Sequence, residues 1–313
     1  MYTLTGRVVM SDEKLTNFGK TAGRVSVGLA VLFAITFAVG TFLDRDIAAA
    51  VFSKGNIAAL AVSTLGIYVY CGAYSFYFGA ALSQTLKVET RPKRIIYSII
   101  VAVLGTIVMI IAGGSVLDVN NLGGIFPKVT RNVPQMAIVF FVVFLPLAVI
   151  GFVVAKKNAD PTLGRRIVLM LNCMTLLFLC YELIKLGMPR PRFRLISQGI
   201  EGIDFHAWYD PISNKEELIS TWGINSDDLK SFPSGHTANA IMSITILPGL
   251  ALVIPALKKR INLLFISGLI FGFVVLLSRM VLGAHFLSDV SVGGFIASVA
   301  SAIYYKRERT LFR

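Results

Sequence analysis

Long runs of apolar residues, separated by short polar segments, make up most of the 313-residue chain. A run of about 20 apolar residues is long enough for a helix to cross the hydrocarbon core of a membrane. The pattern predicts eight such helices, at residues 24–43, 58–82, 95–117, 135–155, 166–184, 237–257, 262–282 and 285–305. We therefore expect an all-α fold, a polytopic transmembrane helix bundle of about eight spans.

The composition agrees with this expectation, because 55% of the residues are hydrophobic and only 15% are charged. Soluble domains carry about 25% charged residues. The formal net charge is +13, but Lys and Arg form short clusters between the apolar runs and no continuous basic surface. This distribution is typical of a membrane protein and argues against nucleic acid as a partner.

The basic clusters also predict an orientation. Eight crossings would place 19 of the 30 Lys and Arg residues on one side, in segments 1–24, 87–94, 156–166, 258–260 and 306–313. Cytoplasmic loops carry an excess of Lys and Arg. We therefore expect a multi-pass protein of the cell membrane with both termini in the cytoplasm. The one long polar connection, residues 185–236, would then lie outside the cytoplasm.

Three polar clusters lie at the expected outer ends of the later helices. They run from Lys185 to Phe193, from Phe232 to His236, and from Ser278 to Asp289. Ionisable residues within membrane segments are rare and are functional by default. Because three separate segments converge on one face, we expect them to form a single site.

The residue types in these clusters are those of a phosphate pocket. Lys185, Arg192 and Arg279 supply positive charge, and an arginine can hold two phosphate oxygens at once. Ser234 and Gly235 precede an apolar helix, whose first backbone N–H groups can point at an anion. The clusters therefore predict an anion-binding cavity.

The histidines predict chemistry in that cavity. His285 and Asp289 are four residues apart at the expected start of the last helix, so they would share one face. The carboxylate can hold one ring nitrogen and leave the other free to attack phosphorus. His236 could protonate the leaving oxygen. Gly283 is expected to break the helix, so that Arg279 and His285 both face the cavity.

Other polar residues have simpler interpretations. Taken alone, Arg190 and Arg194 are expected to extend to the membrane interface. Glu182 is expected to pair with a nearby cation, and His206 to lie at the surface. The aromatic residues of the 194–232 loop are expected in the headgroup region, with a lid over the cavity as the alternative.

The three clusters resemble the signature of the type 2 phosphatidic acid phosphatase superfamily, written K-x6-R-P, P-S-G-H and S-R-x5-H-x3-D. The second and third motifs are met in full by residues 233–236 and by Ser278 to Asp289. Lys185 and Arg192 meet the first motif, with Phe193 where proline is usual. The motifs cover about a third of the chain, and together they are highly specific.

The resemblance implies a phosphohistidine mechanism that needs no metal and no cofactor. His285 would be the nucleophile, Asp289 would orient it, and His236 would protonate the leaving group before water releases phosphate. The phosphate-binding groups would be Lys185, Arg192, Ser234, Gly235 and Arg279. The expected protein is a hydrolase of lipid phosphomonoesters or pyrophosphates, acting on a phosphorylated membrane lipid at the extracytoplasmic face.

The predicted organisation has two parts. Residues 1–90 would form a cytoplasmic tail and two accessory helices, and residues 91–313 a six-helix phosphatase core with the 185–236 loop. One alternative function is a lipid phosphotransferase that uses the same histidines. A transporter of phosphorylated compounds is a weaker alternative, because it would need ionisable residues near the bilayer midplane. The sequence leaves the oligomeric state open.

Overall fold

A computed structural model of the protein describes residues 12–118, 120–126 and 128–311. This part of the chain is helical, with 78% helix and no strands, which confirms the all-α prediction. The basic residues Arg7 and Arg313, used above to predict orientation, lie outside the described residues.

Thirteen α-helices follow one another in the described chain. They are α1 (Asp12–Val51), α2 (Ile57–Thr85), α3 (Arg91–Val116), α4 (Leu122–Ile125), α5 (Val133–Val139), α6 (Leu145–Lys156), α7 (Leu163–Gly187), α8 (Phe193–Ile196), α9 (Lys215–Trp222), α10 (Gly235–Ile241), α11 (Ser243–Val253), α12 (Ile261–Val281) and α13 (Leu287–Leu311). A π-helical turn, Phe140–Phe144, joins α5 to α6, and 3-10 turns lie at Ser226–Leu229 and Pro255–Arg260.

Seven of the helical stretches are long and apolar enough to cross a membrane, and the bent pair α10–α11 makes up to eight. The predicted polytopic bundle is thereby confirmed. Asn56 caps α2 by accepting a hydrogen bond from the Ala59 backbone N–H at 2.9 Å, and Asn132 caps α5 in the same way.

Two predicted spans differ most from the helices observed. α1 begins at Asp12, before the predicted start at residue 24. α1 continues from the predicted end at residue 43 to Val51, because Asp44 is neutralised inside the protein and the Ala-rich segment after it favours helix. The predicted span at 237–257 is bent by 41° between α10 and α11. It ends at Val253, shortly before Pro255, which cannot continue an α-helix.

Close helix contacts build the bundle around α2, which contacts α3, α6, α7, α10 and α12. A Cβ added at Gly79 of α2 would overlap the carbonyl of Ala148 on α6, and one added at Gly151 of α6 would overlap the carbonyl of Phe76. Small residues let membrane helices approach this closely. Many large apolar side chains on the outer faces remain exposed, as expected for a surface in contact with lipid.

The first two helices are joined closely to the rest of the protein. α1 lies along α13, and α2 is central to the bundle. The division of the chain at residue 90 stays a prediction. The packing nevertheless shows that α1 and α2 are placed to contribute side chains to the later helices.

The glycine contact predicts a stability difference. Gly79→Ala should lower the thermal stability of the detergent-purified protein, by about 1–3 kcal/mol, because the added methyl group forces α2 and α6 apart. Melting temperature measures this effect. Gly28→Ala is the matched control, because a Cβ there meets no other atom within 4 Å. Equal melting temperatures for the two variants would contradict the close α2–α6 contact.

Candidate active site

The eight predicted site residues lie at one end of the bundle, where α7 and α12 end and α10 and α13 begin. They are Lys185, Arg192, Ser234, Gly235, His236, Arg279, His285 and Asp289. His236 lies close enough to residues of the other two sequence clusters to interact with them electrostatically. These residues are Lys185, Arg192, Arg279 and His285. The structure therefore brings the three sequence clusters together, while the chemical role of each residue stays a prediction.

The start of α10 forms one wall of the site. Ser234 caps the helix, with its Oγ accepting a hydrogen bond from the Thr237 backbone N–H at 3.3 Å. The Ser234 backbone N–H donates to the Asp289 carbonyl at 3.0 Å, which joins α10 to α13. A Cβ on Gly235 would lie 3.0 Å from Lys185 Nζ, so glycine lets the ammonium group approach the helix start.

Two buried arginines at this end of the bundle have donors without a partner among the described residues. Arg192 Nη1 donates to Asn120 Oδ1 at 2.7 Å, and Arg279 Nη1 donates to Ser63 Oγ at 2.5 Å. Arg192 Nε, Arg279 Nε and Arg279 Nη2 have no hydrogen-bond partner among the described residues. Buried polar groups nearly always have partners. Three unpaired guanidinium nitrogens therefore fit a phosphate group.

Lys185 adds a third cation at the end of α7. Its Nζ donates to Glu182 Oε1 at 2.8 Å and lies 4.9 Å from the centre of the Tyr181 ring. The prediction that Glu182 pairs with a nearby cation is confirmed. Because an ammonium group has three donors, Lys185 keeps hydrogen-bonding capacity for an anion.

Arg192 stays charged in this setting. Burial, followed by the neighbouring Arg194, lowers the pKa of Arg192 to about 10, which is still well above neutral pH. Arg194, which the sequence places at the membrane interface, is partly exposed and has partners in the protein. Its Nη2 donates to Asn120 Oδ1 at 2.6 Å and to Asp228 Oδ1 at 2.5 Å, and these partners hold it beside the site.

The expectation of an interfacial position is wrong for Arg190, which is fully buried. Its Nη1 donates to Asp289 Oδ1 at 2.6 Å, and its Nη2 donates to Asp44 Oδ2 at 2.9 Å. Its Nε donates to the His206 carbonyl at 2.8 Å, and its guanidinium lies 4.1 Å from the centre of the Phe286 ring. Two carboxylates thus keep this arginine inside the protein.

The predicted break between the last two helices is present. α12 ends at Val281 and α13 begins at Leu287, and Gly283 adopts a φ of +58°, which favours glycine. His285 therefore precedes α13, whereas the sequence pattern placed it on the helix. Asp289 lies in the first turn, where it accepts a hydrogen bond from the Phe286 backbone N–H at 2.7 Å.

Asp289 does not hold the His285 ring directly. His285 Nδ1 lies 2.6 Å from the Ser231 carbonyl oxygen but 3.8 Å from Asp289 Oδ2. The carboxylate instead accepts a hydrogen bond from Ser231 Oγ at 2.5 Å. Because the chain bends before α13, Ser231 stands between the two groups and orients the imidazole.

These contacts define the protonation state of His285. A carbonyl oxygen only accepts hydrogen bonds, so Nδ1 carries the proton and Nε2 keeps its lone pair. Burial lowers the pKa of His285 to about 3, and the nearby Arg192 and Arg279 act in the same direction. At neutral pH the ring is therefore an uncharged imidazole with a nucleophilic nitrogen.

His236 is held in the complementary state. Its Nε2 lies 2.9 Å from Asn121 Oδ1, and Asn121 Nδ2 donates to the Ser115 carbonyl at 2.8 Å. The amide oxygen is thus the acceptor, and His236 carries a proton on Nε2. One imidazole therefore presents a lone pair, and the other presents an N–H donor.

Sequence reasoning missed several residues of this site. Asn120 and Asn121 follow α3, Ser63 lies in α2, Ser231 precedes the P-S-G-H motif, and Asp44 lies in α1. Two signals were visible in the sequence. The pair Asn120 and Asn121 follows the third apolar span, and the acidic residue Asp44 directly follows the first. Neither signal identifies a partner, because the partners are distant in sequence.

The long connection between α7 and α10 is packed against the site end of the bundle. Its apolar residues form a small core of their own, which contains Leu195, Ile203, Ile212, Leu218, Ile224 and Leu229. Trp208 stacks on Phe232 and donates to Thr41 Oγ1 of α1 at 3.1 Å. The His206 ring lies against Asp210, with 3.1 Å between Nδ1 and Oδ2, and makes no contact with His236 or His285 in the described residues.

The described residues contain no group of three or more His, Cys, Asp or Glu side chains that could hold a metal ion. His236 and His285 are bonded to an amide and to a carbonyl, and both lie among cations. The independence from a metal stays a prediction.

The fold and the site together indicate a multi-pass helical membrane protein with two histidines beside a cluster of cations at one end of the bundle. The family model of the PAP2 superfamily matches residues 166–313, so this part of the chain is similar to that superfamily. The matched segment runs from α7 to the end of the chain and contains all eight predicted residues. No curated protein and no solved structure matches the chain. The family match and the membrane helices support a phosphatase-type function.

The unpaired donors of Arg279 predict its contribution to anion binding. Arg279→Gln should weaken the binding of orthovanadate at least tenfold, because hydrogen bonds to charged groups contribute about 1.5–3 kcal/mol. Inhibition or calorimetric titration of the purified protein measures the affinity. Arg260→Gln is the control, because Arg260 is exposed at the opposite end of α12. An unchanged vanadate affinity in Arg279→Gln would contradict the assignment of the pocket.

The buried neutral His285 predicts a pH effect on stability. Its pKa is about 3 in the folded protein and 6.5 in its ordinary state, so between these values the unfolded chain binds a proton that the folded chain does not. Stability must therefore fall as the pH falls through this range. His285→Asn keeps a donor for Ser231 and removes the titrating group. Its melting temperature should fall less than that of the wild type between about pH 7 and about pH 4.5. If the melting temperatures of the wild type and of His285→Asn fell equally with pH, a buried neutral imidazole would be contradicted.

Proposed function

We propose that the protein is an integral membrane lipid phosphatase, which hydrolyses a lipid phosphomonoester or pyrophosphate through a phosphohistidine intermediate. One observation carries this proposal. A neutral imidazole with a free Nε2 and an imidazole protonated on Nε2 lie beside three unpaired guanidinium nitrogens. This arrangement suits in-line transfer of a phosphoryl group.

In the first step, His285 Nε2 attacks phosphorus while the bond from phosphorus to the leaving oxygen breaks. His236, in its imidazolium form, gives a proton to that oxygen, so the alcohol or phosphate leaves in a protonated form and the His236 ring becomes neutral. Ser231 accepts the Nδ1–H hydrogen bond of His285 and keeps the ring in the reactive tautomer. A water molecule then attacks phosphorus, the bond from phosphorus to His285 Nε2 breaks, and the neutral His236 takes up the proton of the water. Inorganic phosphate is released, and both histidines return to their starting forms.

The cations stabilise the charge on the phosphoryl group during both steps. The unpaired nitrogens of Arg192 and Arg279 suit the equatorial oxygens, and the ammonium group of Lys185 lies beside Gly235 at the start of α10. Donors that are already in place cost no reorganisation during the reaction, and such electrostatic stabilisation is often the largest catalytic contribution.

A lipid substrate suits the surroundings of the site better than a soluble ester. Leu183 and Leu186, on the last turns of α7 beside Lys185, are 66% and 81% exposed. A phosphate group in the pocket would therefore lie next to an apolar surface that suits acyl or prenyl chains. The family match and the spanning helices support a phosphatase in a membrane, and the lipid itself is our proposal.

We further propose the orientation that the basic clusters predict, with both termini in the cytoplasm and the site at the extracytoplasmic face. The site residues lie at the ends of α7 and α12 and the starts of α10 and α13. The clusters at 87–94, 156–166 and 258–260 lie at the other ends of the helices. The excess of Lys and Arg there supports a cytoplasmic location for that end.

Two alternatives use the same residues differently. A lipid phosphotransferase would pass the phosphoryl group from His285 to a second lipid instead of water. A transporter would need its ionisable groups near the bilayer midplane, whereas these groups lie at one end of the bundle. Phosphate release by detergent-purified protein, which has no second compartment, separates hydrolysis from transport.

The direct test measures phosphate release from a panel of lipid monophosphates and pyrophosphates by the purified protein. His285→Ala should lose at least about a thousandfold in turnover, because no nucleophile remains. His236→Ala should lose about a hundredfold or more, because the leaving oxygen is no longer protonated. Activity should persist in EDTA.

His206→Ala is the matched control, because it removes a histidine whose ring lies against Asp210 outside the pocket. All variants should elute from a size-exclusion column at the position of the folded wild-type protein. Near wild-type turnover in His285→Ala would refute the proposed mechanism. Transfer to an acceptor lipid with little free phosphate would favour the phosphotransferase, and a strict requirement for a divalent metal would contradict hydrolysis by the histidines alone.

A further inference from the structure

Asp44 is an acidic residue inside an apolar membrane helix, and it lies outside the segment that matches the family model. It is almost fully buried at the site end of α1. An ionisable residue at such depth needs partners and is functional by default. Its partners are unusual, because they belong to the two segments that position the proposed nucleophile.

The first partner is the start of α13. Asp44 Oδ1 accepts a hydrogen bond from the Ser288 backbone N–H at 2.9 Å, and Oδ2 accepts one from Ser288 Oγ. A carboxylate at the first turn satisfies a backbone donor that has no partner within the helix, and it interacts favourably with the helix dipole. Asp44 on α1 therefore caps the N-terminus of α13, the helix that carries Asp289.

The second partner is Arg190, which lies between two carboxylates. Its Nη2 donates to Asp44 at 2.9 Å, while its Nη1 donates to Asp289 at 2.6 Å and to Ser288 Oγ at 3.0 Å. The planar guanidinium group fixes the relative positions of its acceptors. Asp44 and Asp289 are thereby held in one rigid unit.

This unit leads directly to His285. Asp289 Oδ2 accepts a hydrogen bond from Ser231 Oγ at 2.5 Å, and the Ser231 carbonyl accepts the bond from His285 Nδ1 at 2.6 Å. A displacement of Asp289 would move Ser231, and with it the acceptor that selects the tautomer of the histidine. The chain of contacts from α1 to the imidazole is continuous and buried.

If Asp44 served only to hold α1 against α13, this cluster of buried charges would not be needed. The two helices are already in close contact, since a Cβ at Gly40 would lie 2.6 Å from the Ser288 backbone nitrogen. Thr36 Oγ1 and Ser291 Oγ are 2.8 Å apart, and Phe33 packs against Gly294. Burying two carboxylates and a guanidinium carries a desolvation cost and is a weak way to add stability.

We propose that Asp44 is a positioning residue of the active site, which acts through Arg190 and Asp289 to hold His285 in its reactive orientation. The proposal rests on the function proposed above and extends the site to α1. In the described part of the chain, Asp44 makes no hydrogen bond or ion pair with the expected phosphate-binding groups Lys185, Arg192 and Arg279. Its loss should therefore reduce turnover and leave substrate binding largely unchanged.

The test compares steady-state kinetics of Asp44→Asn with those of the wild type, using the lipid phosphate that the wild type hydrolyses best. The amide keeps an acceptor for the Ser288 N–H and removes the charge that Arg190 shares. We expect kcat to fall about tenfold or more, because a small displacement of reacting groups is costly. KM should stay within about twofold, since the phosphate-binding donors remain in place.

Asp46→Asn is the matched control, because Asp46 is exposed on the same helix two residues further on. It should keep wild-type kcat and KM. Folding is followed by melting temperature, and rates are given per folded molecule. A folded Asp44→Asn with wild-type kcat would overturn the proposal, and so would an equal loss in Asp46→Asn.

Ser288→Ala is the second variant, and it decides the matter if Asp44→Asn fails to fold. It keeps the backbone N–H that Asp44 caps and removes the hydroxyl that touches both Asp44 and Arg190. We expect kcat to fall about threefold or more, the equivalent of one hydrogen bond. Unchanged kcat in Ser288→Ala would then overturn the proposal.

His285→Ala, measured beside these variants, separates the two proposals. If it is inactive while Asp44→Asn is unchanged, the positioning role fails and the proposed function stands. If His285→Ala keeps wild-type turnover, the proposed function fails, and the role of Asp44 fails with it.

Discussion

The burial of three arginine side chains at one end of an apolar helix bundle is the constraint on which the rest of the site depends. A buried charge is costly unless its partners compensate it. Arg190 has four hydrogen-bond partners, of which two are carboxylates. Arg192 and Arg279 retain nitrogens without a partner in the described chain. The same residue type thus has two tasks, since Arg190 organises protein groups and the other two arginines offer donors to an anion.

This division of the arginines also explains the state of the proposed nucleophile. A free carboxylate beside His285 would favour a protonated, unreactive imidazole. Asp289 is instead bonded to Arg190 and Ser231, so much of its charge is already neutralised. Burial and the nearby Arg192 and Arg279 keep the pKa of His285 low. The carboxylate can therefore position the histidine, through Ser231, without drawing a proton onto its ring.

The sequence alone predicted the spans and the convergence of the three motifs, because both depend on local signals. Apolar length determines which segments can cross the membrane, and alternation of crossings brings residues 185–193, 232–236 and 278–289 to one end. The contributions of Asp44 and Asn121 were beyond such reasoning. They contact partners more than 100 residues away, and no spacing rule connects them. Arg190 was misjudged for the same reason, since an arginine at a helix end extends to water unless a buried carboxylate holds it.

The connection between α12 and α13 shows how one backbone feature makes the whole arrangement feasible. On a continuous helix, Arg279 and His285 would point in different directions, because six residues correspond to about 600° of rotation. Gly283 ends α12 with a positive φ, and a Cβ there would lie 2.7 Å from the Phe52 ring and 3.0 Å from the Arg194 backbone nitrogen. The Gly283 carbonyl in turn accepts the Arg194 N–H at 2.9 Å. The break is therefore enclosed by Phe52, which directly follows α1, and by the segment that carries Arg192 and Arg194. The turn that orients His285 is thus held by the same segment that carries Arg192, an expected phosphate-binding group.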